Sequence, residues 1–145
     1  MYQLLPALRG ESGLDRVVES TVAEFQRTSE IPVRLTIGGS AASVPITVTI
    51  GLHNILQRRL SDILNSSTAT EVEVDLTIEA GNISLSVSDD GVEDPVNGQM
   101  DTERQLAGEL GAHIEIVGSH GSGTRMVVGL PIETNGGNLD QTGDN

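Results

Sequence analysis

Two short stretches hold residues whose types and spacing could do chemistry. "SVSDDGVEDP", residues 86–95, delivers Asp89, Asp90 and Gly91 at the point where an alternating apolar pattern ends. Asp-Gly is a strong turn signal, because glycine accepts positive φ and an aspartate bonds its own backbone nearby. Asp89 is therefore either one limb of an acidic turn or a carboxylate aimed at a ligand. "GSGT", residues 121–124, sets Gly121, Gly123 and Thr124 between two apolar runs, as a glycine-rich hairpin loop would. Elsewhere Arg58 and Asp62 stand four apart, the spacing of an ion pair on one helix turn. His53, His113 and His120 have no metal-ligand spacing, and neither a P-loop nor a Gly-x-Ser-x-Gly elbow occurs.

Composition narrows what such residues can serve. The 145 residues suffice for one domain with a real core. All 8 basic residues are arginine against 21 Asp plus Glu, a formal net charge of -13, and Tyr2 and Phe25 are the sole aromatics. Phosphate backbones are repelled by such a surface and bases find no stacking platform, so nucleic acid is excluded as a partner, and anionic membrane with it. Without cysteine there are no disulfides and no thiolate metal sites. No apolar run approaches the ~20 residues of a bilayer span and the first residues lack a signal-peptide plan, so a soluble, cytoplasmic protein is expected.

The elements that must position these residues follow from periodicity. Leu14, Val17, Val18, Val22 and Phe25 recur at helical spacing and predict a helix from about Leu14 to Thr28. Pro32 blocks its continuation, and "VRLTI" at 33–37 alternates as a strand. Leu52, Ile55, Leu56, Leu60, Ile63 and Leu64 mark one face of a longer helix, whose β-branched opening "ITVTI" reads equally well as extended. From Glu71 the period is two: Val72, Val74, Leu76 and Ile78, then Ile83, Leu85 and Val87, predict an antiparallel hairpin with one wet side. Leu106 and Leu110 predict a short helix ending near Gly111, and strands follow around Ile114–Ile116 and Met126–Leu130. The order specifies an α+β two-layer sandwich: a mixed, mostly antiparallel sheet of about five strands with three helices on one face. Residues 1–12 form a lead-in, 13–132 the domain, and the polar "ETNGGNLDQTGDN" a disordered tail at 133–145.

The succession "IPVRLTI", "GLHNILQRRLSDILNSSTATEVEVDLTI", "ISLSVSDDGVED" and "ELGAHIEIVGSHGSGTRMVVGLPI" resembles the catalytic, ATP-binding domain of sensor histidine kinases, of the branch serving helix-turn-helix response regulators. The lead-in "LLPALRGESGL" is similar to the exit from that family's dimerisation helices. The resemblance covers nearly all of residues 3–132 and implies the GHKL (Bergerat) fold, with ATP and Mg²⁺ held between a helix pair and the sheet. It implies that Asp89 accepts a hydrogen bond from the adenine amino group, that Gly91, Gly121 and Gly123 let backbone approach the nucleotide, and that Thr124 bonds Asp89 or a water beside the base.

Several positions depart from that pattern. Glu93 stands where a second glycine is expected. The family's Glu, its Mg²⁺-ligating Asn and its basic residue near the phosphates match Arg58, Asp62 and Asn65-Ser66. An arginine cannot act as a base. Asp62 would still ligate Mg²⁺ through oxygen, or simply pair with Arg58. The lid segment "DPVNGQMDT" keeps one glycine, Gly98, and no Lys or Arg before Arg104. Positioning and charge neutralisation carry phosphoryl transfer, so these losses imply an impaired nucleotide site. The expected function is the ATP-binding domain of a two-component sensor histidine kinase, partnered by a histidine-bearing dimerisation domain and a response regulator. An inactive pseudo-kinase module used for protein contact is the alternative, and an anti-sigma-factor serine kinase a third.

Overall fold

A computed structural model describes residues 13–39, 44–66, 68–79, 81–91, 100–119 and 123–131. The lead-in, residues 92–99 of the lid region, His120, Gly121 and the tail lie outside them.

The first apolar stripe folds as helix α1 (Gly13–Ser29), burying Leu14, Val17, Val18, Val22 and Phe25. Strand β1 (Val33–Gly39) follows, then helix α2 (Ile46–Ser66). "ITVTI" is helical, and its start has a local cause. Pro45 presents a carbonyl that accepts from the backbone N–H of Val48 (3.1 Å) and Thr49 (3.0 Å), and a proline at a helix start forfeits no helical hydrogen bond. Thr49 turns inward and buries its hydroxyl against the same carbonyl, while Ile46 and Ile50 stay half exposed. Leu64, expected on the inner face of α2, is 45% exposed.

The hairpin forms as β2 (Val72–Glu79) and β3 (Asn82–Asp89). Helix α3 (Asp101–Leu110) ends at Gly111, whose φ of 79° lets the N–H of Gly111 and Ala112 return to the carbonyls of Gly108 and Ala107. Strands β4 (His113–Ser119) and β5 (Gly123–Pro131) complete a five-stranded sheet in the order β1-β2-β3-β5-β4. β1 lies parallel to β2, joined across α2, and every other pairing is antiparallel.

One core joins sheet and helices. Val72, Val74, Leu76 and Ile78, Ile83, Leu85 and Val87, and Met126, Val128 and Leu130 face Leu14, Val18, Leu52, Ile55, Leu56 and Ile63. α3 closes on α2 at Gly51, where a Cβ would stand 2.7 Å from a Leu110 methyl. The α+β sandwich expected from the periodicity is the observed fold. β3 therefore ends beneath α2, and whatever β3 presents at its last inward position meets the middle of that helix.

Candidate functional site

That last inward position is Asp89. It continues the parity of Ile83, Leu85 and Val87, and the register sets it opposite Val72 on β2 and Thr124 on β5. Its side chain is fully buried, and both carboxylate oxygens are engaged by the chain itself. Oδ1 accepts from the backbone N–H of Gly91 at 2.8 Å, and Oδ2 accepts from Nη2 of Arg59 at 3.2 Å. Arg59 is likewise interior, 2% exposed, so the pair is a buried salt bridge between α2 and β3. Asp90 points the other way and fastens the start of β2. Its oxygens accept from the N–H of Thr70 (2.8 Å) and Glu71 (3.1 Å) and from the Thr70 hydroxyl (2.7 Å). The Thr70 bonds, hydroxyl first, hold the Asp90 carboxyl below its ordinary range.

A third buried charge-bearing residue completes the cluster. Glu103, in the first turn of α3, has no exposed surface, and its carboxyl oxygens have no well-formed hydrogen-bond partner among the described residues. Burial first, and then the neighbouring Asp62 carboxylate, push its carboxyl up to about 7, against the opposing pull of Arg59. The electrostatics explain this: Glu103 is buried beside the Asp62 carboxylate while Arg59 is already paired with Asp89, so the charged form of Glu103 is disfavoured.

Arg58 and Asp62 form the expected pair, Nε to Oδ1 at 3.3 Å, on the solvent side of α2. A pair at this spacing contributes a few tenths of a kcal/mol. Gly123 has φ of 92°, and a Cβ there would lie 2.0 Å from the Asp89 carbonyl oxygen. This contact between β5 and the end of β3 demands a glycine whatever else approaches. Gly123→Ala is accordingly expected to cost about 2 kcal/mol in a urea melt through strain at this residue. His113 sits exposed on the edge strand β4, and His53 is half-buried on α2, where desolvation lowers its pKa.

The donor set fits neither ligand well. Asp62 is already paired with Arg58, faces Glu103, and belongs to no group of three metal-ligating side chains among the described residues. A Mg²⁺ there would lean on a single carboxylate. An adenine amine would have to reach an Asp89 carboxylate that has no exposure and already accepts from Arg59 and Gly91. A hollow of about 480 Å³ does touch Asp89, but the rest of its lining comes from residues 32–34, 71–73, 88 and 90, none of them on a helix.

Periodicity had signalled Arg59 and Glu103 without their being singled out. Arg59 falls three and four residues from Leu56, Ile55 and Ile63, inside the apolar stripe of α2. Glu103 lies four before Ala107 and seven before Leu110. A charge at a core position of an amphipathic helix is a request for a buried partner.

The ATP-binding domain of PrrB from Mycobacterium tuberculosis superposes with a TM-score of 0.68 at 16% identity, covering 82% of this chain and 93% of that one. The histidine kinase AdeS of Acinetobacter baumannii superposes at 0.69 with 11% identity, covering 91% of this chain and 77% of that one. The chain has the fold of these histidine kinase ATP-binding domains. Sequence agrees with the fold. The sensor histidine kinase ComP of Bacillus subtilis is 32% identical over 91 residues, 63% of this chain and 12% of that protein. The sensor histidine kinase LiaS of the same organism is 28% identical over 138 residues, 91% of this chain and 38% of that protein. The chain thus spans well under half the length of either relative. No protein-family model matches it.

Proposed function

We propose that this GHKL domain serves as the ATP-binding catalytic domain of a two-component sensor histidine kinase with an impaired nucleotide site. The observation that carries the reading is the placement of Asp89. A lone inward carboxylate ends β3 beside Thr124 and Gly123, under the middle of α2, on the sandwich that the sensor kinases use. In this reading Asp89, Gly91, Gly121, Gly123 and Thr124 face the adenine end, Asp62 lies toward Mg²⁺, residues 1–12 lead in from the dimerisation helices, and 133–145 form a tail. The partners are a histidine-bearing dimerisation domain and a response regulator, and this domain itself works in the cytoplasm. Among the described residues no helix is long and apolar enough to cross a membrane.

Impairment follows from charge. Phosphoryl transfer is accelerated by positioning and by cations around the migrating group. Here Arg58 is tied to Asp62, and residues 92–99 contribute Glu93 and Asp94 but no Lys or Arg. The buried Arg59–Asp89 pair favours one second reading, a module kept for contact with partner domains.

The experiment joins or mixes the domain with a dimerisation domain carrying a phosphoacceptor histidine and supplies labelled ATP with Mg²⁺. Association of the two domains with phosphorylation at background level is expected. Brisk labelling of the histidine rejects impairment, and failure to associate rejects the sensor-kinase reading itself.

A further inference from the structure

We infer that Arg59 is the residue that closes this site: its guanidinium serves as the chain's own ligand for Asp89, in place of a purine amine, and its removal admits adenine. The inference rests on the proposed role of Asp89 and names what regulates it.

The hydrogen-bond chemistry is the first argument. An adenine amine and a guanidinium both offer N–H to a carboxylate, so they compete for the same acceptor. The guanidinium bond is charge-assisted and roughly twice as strong as a neutral one. It is also intramolecular, formed when the domain folds, with no loss of translational freedom. A nucleotide taking the place of Arg59 would leave a cation in an interior site where it is 2% exposed, and return only a neutral donor. The second oxygen offers no way round: it already accepts from the Gly91 N–H at 2.8 Å, and the side chain has no exposure, so an amine reaches its remaining lone pair only by displacing protein atoms.

Position is the second argument. Arg59 springs from the middle of α2, a helix running from Ile46 to Ser66 and packed on both α1 and α3, so no loop movement carries it away. Its neighbours in the stripe, Ile55, Leu56, Leu60 and Ile63, are all buried. Opening the site means moving the Arg59 side chain itself. Glu103 lies within electrostatic reach of Arg59, so its ionised form also favours keeping the cation in place.

Closure at the base end is separable from weakness at the phosphate end by a probe without phosphates. Wild type and Arg59→Ala are titrated with adenosine, inosine and ADP·Mg²⁺, with melting temperature and heat of binding as readouts. Inosine replaces the 6-amine by an oxo group, so an unblocked Asp89 should discriminate against it. The wild type is expected to respond to none of the three at millimolar concentration. Arg59→Ala should bind adenosine on the order of tenfold more tightly than inosine. A folded Arg59→Ala variant blind to adenosine overturns the inference, and so does adenosine binding by the wild type that Asp89→Asn abolishes.

Should Arg59→Ala not fold, the Arg59 Nε–H resonance of the wild type, identified by its loss in Arg59→Lys, decides. Constancy of that signal in millimolar adenosine supports closure; displacement by the nucleoside refutes it. None of these results depends on association with a dimerisation domain, so the sensor-kinase reading and this inference fail separately.

Discussion

Arg59→Met is expected to lower folding stability by about 3–5 kcal/mol, and adding Asp89→Asn to recover at least about 2 kcal/mol of that loss. Methionine fills much of the volume of the arginine stem, so the single variant loses little packing. What it loses is the cation that compensates Asp89, whose side chain has no exposure and whose remaining described bond is to the Gly91 N–H. A buried carboxylate left without its cation is an uncompensated interior charge, and that is strongly destabilising. Asparagine at 89 removes the charge and keeps a carbonyl oxygen for Gly91, so the double variant has neither half of the pair to stabilise. The cycle is read by urea denaturation at pH 7, comparing each single variant with the double. If Arg59→Met falls within about 1 kcal/mol of wild type, or the two costs simply add, the pair is not the interior bond that the geometry describes.

Much of this was open to inspection in the sequence, and the boundary of legibility has a physical origin. The stripe Leu52, Ile55, Leu56, Leu60, Ile63 announced α2, and the alternation from Val72 to Val87 announced the hairpin, because each records a single element's exposure to one core. The same alternation, carried two residues further, puts Asp89 inward, and its burial was readable on parity alone. "ITVTI" stayed ambiguous because β-branched side chains favour strands only where nothing else decides, and Pro45 with inward-facing Thr49 decides for helix. The fold was therefore available from local pattern together with the order of motifs.

The site was only half available. Arg59 and Glu103 each occupy a core position of their helix, which says that a partner exists and not which one. That Arg59 meets Asp89, 30 positions away along the chain, depends on β3 ending beneath α2, a consequence of the parallel β1–β2 crossover and of the strand order. Gly123 shows the reverse case. Its glycine was legible as part of the nucleotide-facing glycine box that the resemblance implied, yet contact with the Asp89 carbonyl accounts for it without any ligand. A motif in a sequence records a backbone requirement before it records a chemistry.

Glu103 supplies the second large effect, expressed in pH. Its carboxyl is raised from 4.5 to about 7, so the folded protein holds this proton more tightly than the unfolded chain does. The sign follows: the contribution is fully present below about pH 4.5 and is lost as pH climbs through about 7. At about 1.4 kcal/mol for each tenfold change in proton affinity, the rise corresponds to about 3 kcal/mol as an upper figure. Glu103→Gln fixes the neutral state, keeps the size, and leaves Asp62 and Arg59 in place. The stability of Glu103→Gln minus that of wild type should therefore grow with pH between about 4.5 and 7 and level off by about pH 8. His53, whose pKa is lowered by burial, shifts stability in the opposite direction over part of this range, but it does so in both proteins and cancels in the difference. Urea melts of both at four or five pH values are enough to draw the curve. A difference that stays flat from pH 4 to 8 would mean that Glu103 is ionised in the interior, and that Arg59 balances two carboxylates where the geometry gives it one.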